Sequence, residues 1–225
     1  MKSNIDNDKV CHEVNEQLQS GLSKLLLEKT HKDLSKFGNQ HTKLKPTILE
    51  IGAGQGNHHK FVRNDYRKYV MTDISKWGQS RINKIAKIDK RVSFQVENVE
   101  KLSFQTESFD RVICTCVLSH VNQPFLAMEE ILRVTKRGGN INLYLSADPG
   151  VLLRFLRLIL IHTKMKNLSV PYNLVISLEH RNNAWGLIDI AKFVFRDSSI
   201  KINYLPFRIK SWNLSTHIIV NITKN

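Results

Sequence analysis

Long apolar runs are missing from this sequence, and no stretch reaches the roughly 20 residues that a membrane-spanning helix requires. The first ten residues are polar and carry no apolar signal core, so the expected location is cytoplasmic. Cysteine is scarce: Cys11, Cys114 and Cys116 are the three in the chain. Cys114 and Cys116 fall on one face of a single expected strand, too close for an ordinary disulfide and without further ligands at metal spacing. A disulfide scaffold and a metal site are thereby excluded, and a reducing compartment is expected. Acidic residues are the minority, 20 against 34 Lys and Arg, for a net charge of +14. That balance admits two readings: a polyanionic partner, or a compositional bias shared with the abundant Asn and Ile. The basic residues are spread along the chain, and no block of like charge marks a binding tail.

Glycine, by contrast, is concentrated. The run Thr47-Ile48-Leu49-Glu50-Ile51-Gly52-Ala53-Gly54-Gln55-Gly56 is apolar up to three glycines at alternate positions. Such a run predicts a buried parallel strand breaking into a tight turn where the backbone approaches a ligand closely. A dinucleotide-binding turn would need its third glycine at position 57, where Asn57 stands.

The rest of the chain alternates strand and helix patterns. A helix or helix pair is expected over residues 12–37, ended by Gly38, and a helix after the glycine turn through His58, Phe61 and Val62. Strand 69–73, helix 79–88, strand 92–96, strand 109–116 and helix 123–135 follow. A Gly138-Gly139 turn then leads into strand 142–145. The alternation lapses over residues 146–185 and resumes as helix 187–195 and strands 200–204 and 217–222. The expected fold is α/β: a Rossmann-like, doubly wound seven-stranded sheet with a C-terminal antiparallel hairpin. Residues 1–225 are read as a single domain, with an N-terminal helical segment over 1–40. Residues 146–185 form an inserted lid between the fifth strand and the last large helix. There is no internal repeat.

The pattern E-x-G-x-G-x-G at Glu50, Gly52, Gly54 and Gly56 resembles motif I of the class I methyltransferases that use S-adenosylmethionine. Three further segments, in the right order, are similar to the same family. Val96-Glu97-Asn98-Val99-Glu100-Lys101-Leu102-Ser103-Phe104 matches V-G-D-A-E-x-L-P-F, with Asn98 where the family has Asp. Ser108-Phe109-Asp110-Arg111-Val112 and Val117-Leu118-Ser119-His120-Val121 match its S-F-D-x-V strand and continuation. Glu130-Ile131-Leu132-Arg133-Val134 through Gly139 matches its E-x-x-R-V helix end. The resemblance spans roughly residues 47–145. It implies a cofactor site of Glu50, Gly52, Ala53, Gly54, Gly56, Asp73, Asn98, Val99 and Cys114, with S-adenosylhomocysteine as product. Asp73 admits a second reading as a helix N-cap.

The acceptor is less legible. The loop after the fourth strand, Thr115-Cys116-Val117-Leu118, lacks the D/N/S-P-P-Y/F/W run of base amino methyltransferases, and no Pro-Cys nucleophile is present, so nucleic acid is disfavoured. The expected acceptor is a small molecule, and segments of the C-terminal third are similar to methyltransferases of surface-polysaccharide gene clusters, favouring a sugar hydroxyl or lipid-linked glycan. Methylation of a quinone or other lipid ring is an alternative, and a catalytically inactive RNA- or membrane-binding protein is another. Residues 151–160 form a cationic apolar helix, either a lid or a peripheral membrane contact in which Arg154 and Arg157 hold phosphate. His180 and His120 are the candidate bases. Glu179 beside His180 is the expected carboxylate partner, a pairing that a regular helix does not allow.

Overall fold

The computed structural model describes residues 14, 21–38, 44–62, 65–160 and 171–225. Most of the expected helix over 12–20 therefore lies outside the described residues, as does 161–170 within the insertion. Helix α1 (Gly21–Gly38) precedes strand β1 (Thr47–Ile51). Next come β2 (Lys68–Asp73), α2 (Gln79–Ile88), β3 (Val92–Val96), β4 (Phe109–Thr115), α3 (Pro124–Val134) and β5 (Thr135–Ser146). The insertion contributes α4 (Val151–Leu160) and α5 (Tyr172–Glu179), and the chain closes with α6 (Ala184–Val194), β6 (Ser199–Pro206) and β7 (Ser215–Thr223). Among the described residues no helix is long and apolar enough to cross a membrane.

The seven strands form one sheet in the order β3-β2-β1-β4-β5-β7-β6, with β7 antiparallel to both neighbours and the rest parallel. The order reverses between β1 and β4, so the crevice where such sheets take ligands opens at the carboxyl ends of these two strands. The five residues of β1 are all buried, because both sheet faces are covered. On one face Leu49, Val112, Ile141 and Leu143 pack against Met128 and Ile131 of α3 and Leu187 and Ile188 of α6. On the other, Ile48, Met71 and Ile113 meet Leu34 of α1 and Ile82 of α2. Each such fully buried aliphatic side chain is worth about 1.5–3 kcal/mol against exposure.

Several expectations are corrected. No α-helix follows the glycine turn; the chain makes a single 3-10 turn, His59–Phe61, because His58 is drawn into the interior, its Nδ1 3.2 Å from His31 Nδ1. Gly138-Gly139 is not a turn between elements but an irregularity inside the long β5. Gly138 has φ +70, and the ladder continues through it: Gly138 N–H donates to Lys224 O at 2.7 Å, and Lys224 N–H to Gly139 O at 3.0 Å. Cys116 does not share a strand face with Cys114. β4 ends at Thr115 and Cys116 turns away with φ +57, exposed while Cys114 is buried.

A polar set is sealed under the sheet on the α1 side. Glu50, 1% exposed, accepts a hydrogen bond from the Tyr69 hydroxyl at 2.7 Å. The buried Arg111 donates through Nε to Asn142 Oδ1 at 2.7 Å, and Asn142 donates to Asn221 at 2.9 Å. Burial pushes the Glu50 carboxyl up to about 7, against the opposing pull of Tyr69 and Arg111. A carboxyl raised in the folded state adds stability that is complete below its ordinary value of 4.5 and is lost as pH rises through about 7. Glu50→Gln keeps an acceptor for Tyr69 and removes the titration. The variant's melting temperature should therefore gain on the parent by a few degrees between acidic pH and pH 8 in thermal denaturation; a difference that does not vary with pH would refute this.

Candidate functional site

Three glycines shape the turn after β1. Gly52, Gly54 and Gly56 have φ of +70, +51 and +72, in the left-handed region that side chains avoid. A Cβ on Gly52 would stand 2.0 Å from Val117 Cγ2, so the turn packs directly on the loop leaving β4. Ala53 N–H donates to Thr72 O at 2.9 Å and Gly56 N–H to Ala53 O at 2.8 Å, which ties the turn to the end of β2. Gly78, unremarked in the sequence, is equally constrained, since a Cβ there would lie 1.5 Å from the Gly54 carbonyl oxygen. Its only sequence signal was a glycine just before a helix.

Asp73 ends β2 beside this turn. Its Oδ2 accepts from Gly54 N–H at 3.0 Å and its Oδ1 from Ser75 N–H at 3.1 Å. It does not cap α2, whose N-cap is Gly78. The Ser75 hydroxyl also donates to Oδ1, at 3.4 Å, while Oδ2 keeps a second lone pair, so the group that braces the turn can also accept from a ligand's hydroxyl. Asn98 lies at the next strand end, its Oδ1 accepting from Glu100 N–H at 2.9 Å, and Val99 is buried beside it. That loop is held by the E-x-x-R pair: Glu130 Oε2 accepts Leu102 N–H at 2.7 Å, and Arg133 donates to the carbonyls of Leu102 and Phe104. Two expected site residues stand apart. The Glu50 carboxylate is in the polar set described above, and the Cys114 thiol is in the core, where burial pushes it up to about 12.

The second half of the site lies beyond β5. Asp148 Oδ2 receives the Ser146 hydroxyl at 2.7 Å, Arg157 Nη2 at 2.8 Å and His180 Nδ1 at 2.8 Å, and Arg157 Nη1 closes on Oδ1. Burial opposes the charge, but the hydrogen bonds from His180 and Arg157 hold the Asp148 carboxyl well below the usual carboxylate range. Arg157 is thus engaged with Asp148 instead of facing outward for phosphate, a correction to the reading of α4. The partner of His180 is likewise Asp148 and not Glu179. Glu179 closes α5 with His180 as the C-cap, and its carboxylate stands 3.7 Å from His120 Nδ1.

The two histidines, rivals in the sequence, are neighbours here. Their rings meet edge to face with centroids 4.9 Å apart. Backbone bonds hold them together: Arg181 and Asn182 N–H groups donate to Ser119 O at 2.8 and 3.1 Å, and Asn182 Nδ2 reaches the Leu118 and Val121 carbonyls. His120 Nδ1 bonds the Glu179 carbonyl at 3.0 Å, and burial, with the neighbouring His180, lowers its pKa to about 4. An ionised Asp148 accepts only, so His180 donates to it from Nδ1. Asp148 and Arg157 as a paired group were invisible to sequence reasoning; the Asp148-Pro149-Gly150 turn was the sole signal.

A seven-stranded sheet of this order with a glycine cradle at β1 defines the class I S-adenosylmethionine-dependent methyltransferase fold. Residues 49–143 match the family model of the methyltransferase domain. Over 94 residues the chain is 32% identical to the demethylmenaquinone methyltransferase of Renibacterium salmoninarum, covering 42% of this chain and 38% of that protein. Over 105 residues it is 33% identical to the highly reducing polyketide synthase verA of Penicillium polonicum, covering 43% of this chain and 4% of the synthase. The chain thus spans well under half the length of these curated relatives. The N-methyltransferase NodS of Bradyrhizobium japonicum, solved with S-adenosylhomocysteine, shares the fold at TM-score 0.66 and 13% identity, covering 96% of this chain and 98% of that one.

The brace on the glycine turn has a measurable consequence. Asp73→Ala should weaken S-adenosylhomocysteine binding about tenfold or more, a loss of at least 1.4 kcal/mol, with the melting temperature little changed. Titration calorimetry showing unchanged affinity would remove Asp73 from the site. Gly78→Ala, which must displace the Gly54 carbonyl, should lower the same affinity although residue 78 carries no polar side chain.

Proposed function

We propose that this protein methylates a hydroxyl oxygen on a small molecule, a sugar or lipid-linked glycan precursor, using S-adenosylmethionine. The cofactor site consists of Gly52, Ala53, Gly54, Gly56, Asp73, Asn98 and Val99. The fit rests on the cradle itself: the Cβ positions of Gly52 and Gly56 are taken up by Val117 and by Ile82, Ile85 and Met71, which fixes the turn, Gly54 is open to close approach, and Asp73 supplies an acceptor. When bound, the sulfonium supplies an electrophilic methyl group.

The observation that carries the reading is the Asp148–His180 bond of 2.8 Å at the mouth of β4 and β5, next to His120. A hydroxyl is a poor nucleophile until it loses its proton. His180 Nε2 would take that proton from the acceptor hydroxyl, whose oxygen would accept the methyl group in exchange, with S-adenosylhomocysteine as the leaving product. Asp148 orients the ring and stabilises the imidazolium that results. His120, neutral near pH 7 because its pKa is lowered to about 4, lines the same space without adding a charge. A second reading, methylation of a quinone or other lipid ring, is favoured by the partial similarity to the demethylmenaquinone enzyme and by the apolar surface of α4.

With labelled methyl donor, an acceptor screen over nucleotide sugars, lipid-linked glycans and demethylated quinones tests both readings. His180→Ala should reduce turnover on the acceptor found by about 10²–10⁴-fold while leaving S-adenosylhomocysteine affinity within twofold. Normal turnover in that variant would eliminate His180 as the base. Asp148→Asn should also lower kcat, through loss of the ring's tautomer and orientation.

A further inference from the structure

The face of α4 turned away from the sheet is apolar. Val151, Phe155, Leu158 and Ile159 are each 52–65% exposed, and their spacing places them on an arc of about 100° along one side of the helix. The opposite side is anchored by Arg157 in its pair with Asp148. Beside this stripe lies the connection between β6 and β7, which presents Phe207, Ile209 and Trp212 at 36–60% exposure. The two are joined physically. Leu152 N–H donates to Asn213 O at 2.9 Å, and Gly150 packs so closely on the Trp212 carbonyl that a Cβ would stand 2.4 Å from it. The result is one continuous apolar surface from two segments distant in sequence.

Its charge is of one sign. Residues 149–160 and 198–225, which contain the surface, have no Asp or Glu at all, although the whole chain has 20. Arg154 flanks the stripe on α4, and Arg208 and Lys210 alternate with the apolar residues of the connection, all exposed. A second copy of this chain would bring basic residues against basic residues. A bilayer with anionic headgroups offers the complementary charge, an apolar interior for Phe155 and Leu158, and an interfacial depth suited to the amphipathic ring of Trp212.

We propose that α4 and residues 207–214 form a docking surface for an anionic lipid bilayer, with the helix lying in the plane of the headgroups. Because Arg157 and Asp148 sit on the inner side of the same helix, docking sets the histidine pair at the membrane face, where a lipid-borne acceptor would be presented. The surface itself is independent of the acceptor's identity and of turnover.

Co-sedimentation with phosphatidylcholine vesicles, with and without phosphatidylglycerol, tests this directly. The full chain should partition at least tenfold more strongly onto the anionic vesicles, and the binding should fall as salt is raised. Phe155→Ser combined with Leu158→Ser should cut that partitioning at least tenfold. Both side chains are exposed, so melting temperature and S-adenosylhomocysteine affinity should stay unchanged, which separates failure of docking from failure of the cofactor site. Arg154→Glu with Lys210→Glu should abolish the preference for anionic lipid. Equal, weak binding to both vesicle types would overturn the proposal. So would self-association in solution that the Phe155 and Leu158 substitutions remove, since a second copy would then cover the face.

Discussion

At the carboxyl end of β1 three segments meet in a space with no room for side chains. Gly52 lies against Val117 from the loop after β4, Gly78 lies against the Gly54 carbonyl, and Gly54 donates to Asp73 at the end of β2. Each contact is made directly on glycine backbone, by the Val117 side chain, the Gly54 carbonyl or the Asp73 carboxylate, so the relative height of β1, β2 and β4 and the start of α2 are set together. A crevice of this kind can present N–H groups and a carboxylate to a ligand without the reorganisation that flexible side chains would need. The left-handed conformations at Gly52, Gly54 and Gly56 are available at little cost only to glycine, which is why the tolerance of this corner to substitution is so small.

The acceptor side depends on a different principle. Asp148 is largely desolvated, and a carboxylate there persists only because Arg157, Ser146 and His180 all donate to it. One buried charge thereby organises three elements: the exit of β5, the inner face of α4 and the cap of α5. The same arrangement turns α4 so that Arg157 points inward and its apolar stripe outward. The placement of His180 and the surface character of α4 are in this sense consequences of a single ion pair.

Much of the parallel sheet was legible from the amino-acid order. β1, α2 and β3 carry the bounds their patterns predict, since apolar runs between turn residues leave few alternatives for a doubly buried strand. Errors fell where tertiary contacts outweigh local preference. His58 to Val62 has a passable helical pattern, yet burial of His58 against His31 holds it in a 3-10 turn. Gly138-Gly139 has the composition of a turn, yet the Lys224 backbone pairs with it and keeps it in the sheet. The E-x-x-R segment was recognised by resemblance, but its work, holding the 97–104 loop, needed coordinates.

The sequence alone determined the class of fold and the corner where the glycine turn meets the end of β2, because both follow from short-range patterns: hydrophobic periodicity, a glycine turn and an acid at the next strand end. It also singled out His120 and His180 as titratable side chains near the strand ends. Only the tertiary structure decided that these two histidines stand together, that Asp148 and not Glu179 serves His180, and that Arg157 is committed to the interior. Those pairings join residues 9, 32 and 60 positions apart, and no local rule of spacing links side chains that meet only after β4, β5 and the insertion have packed.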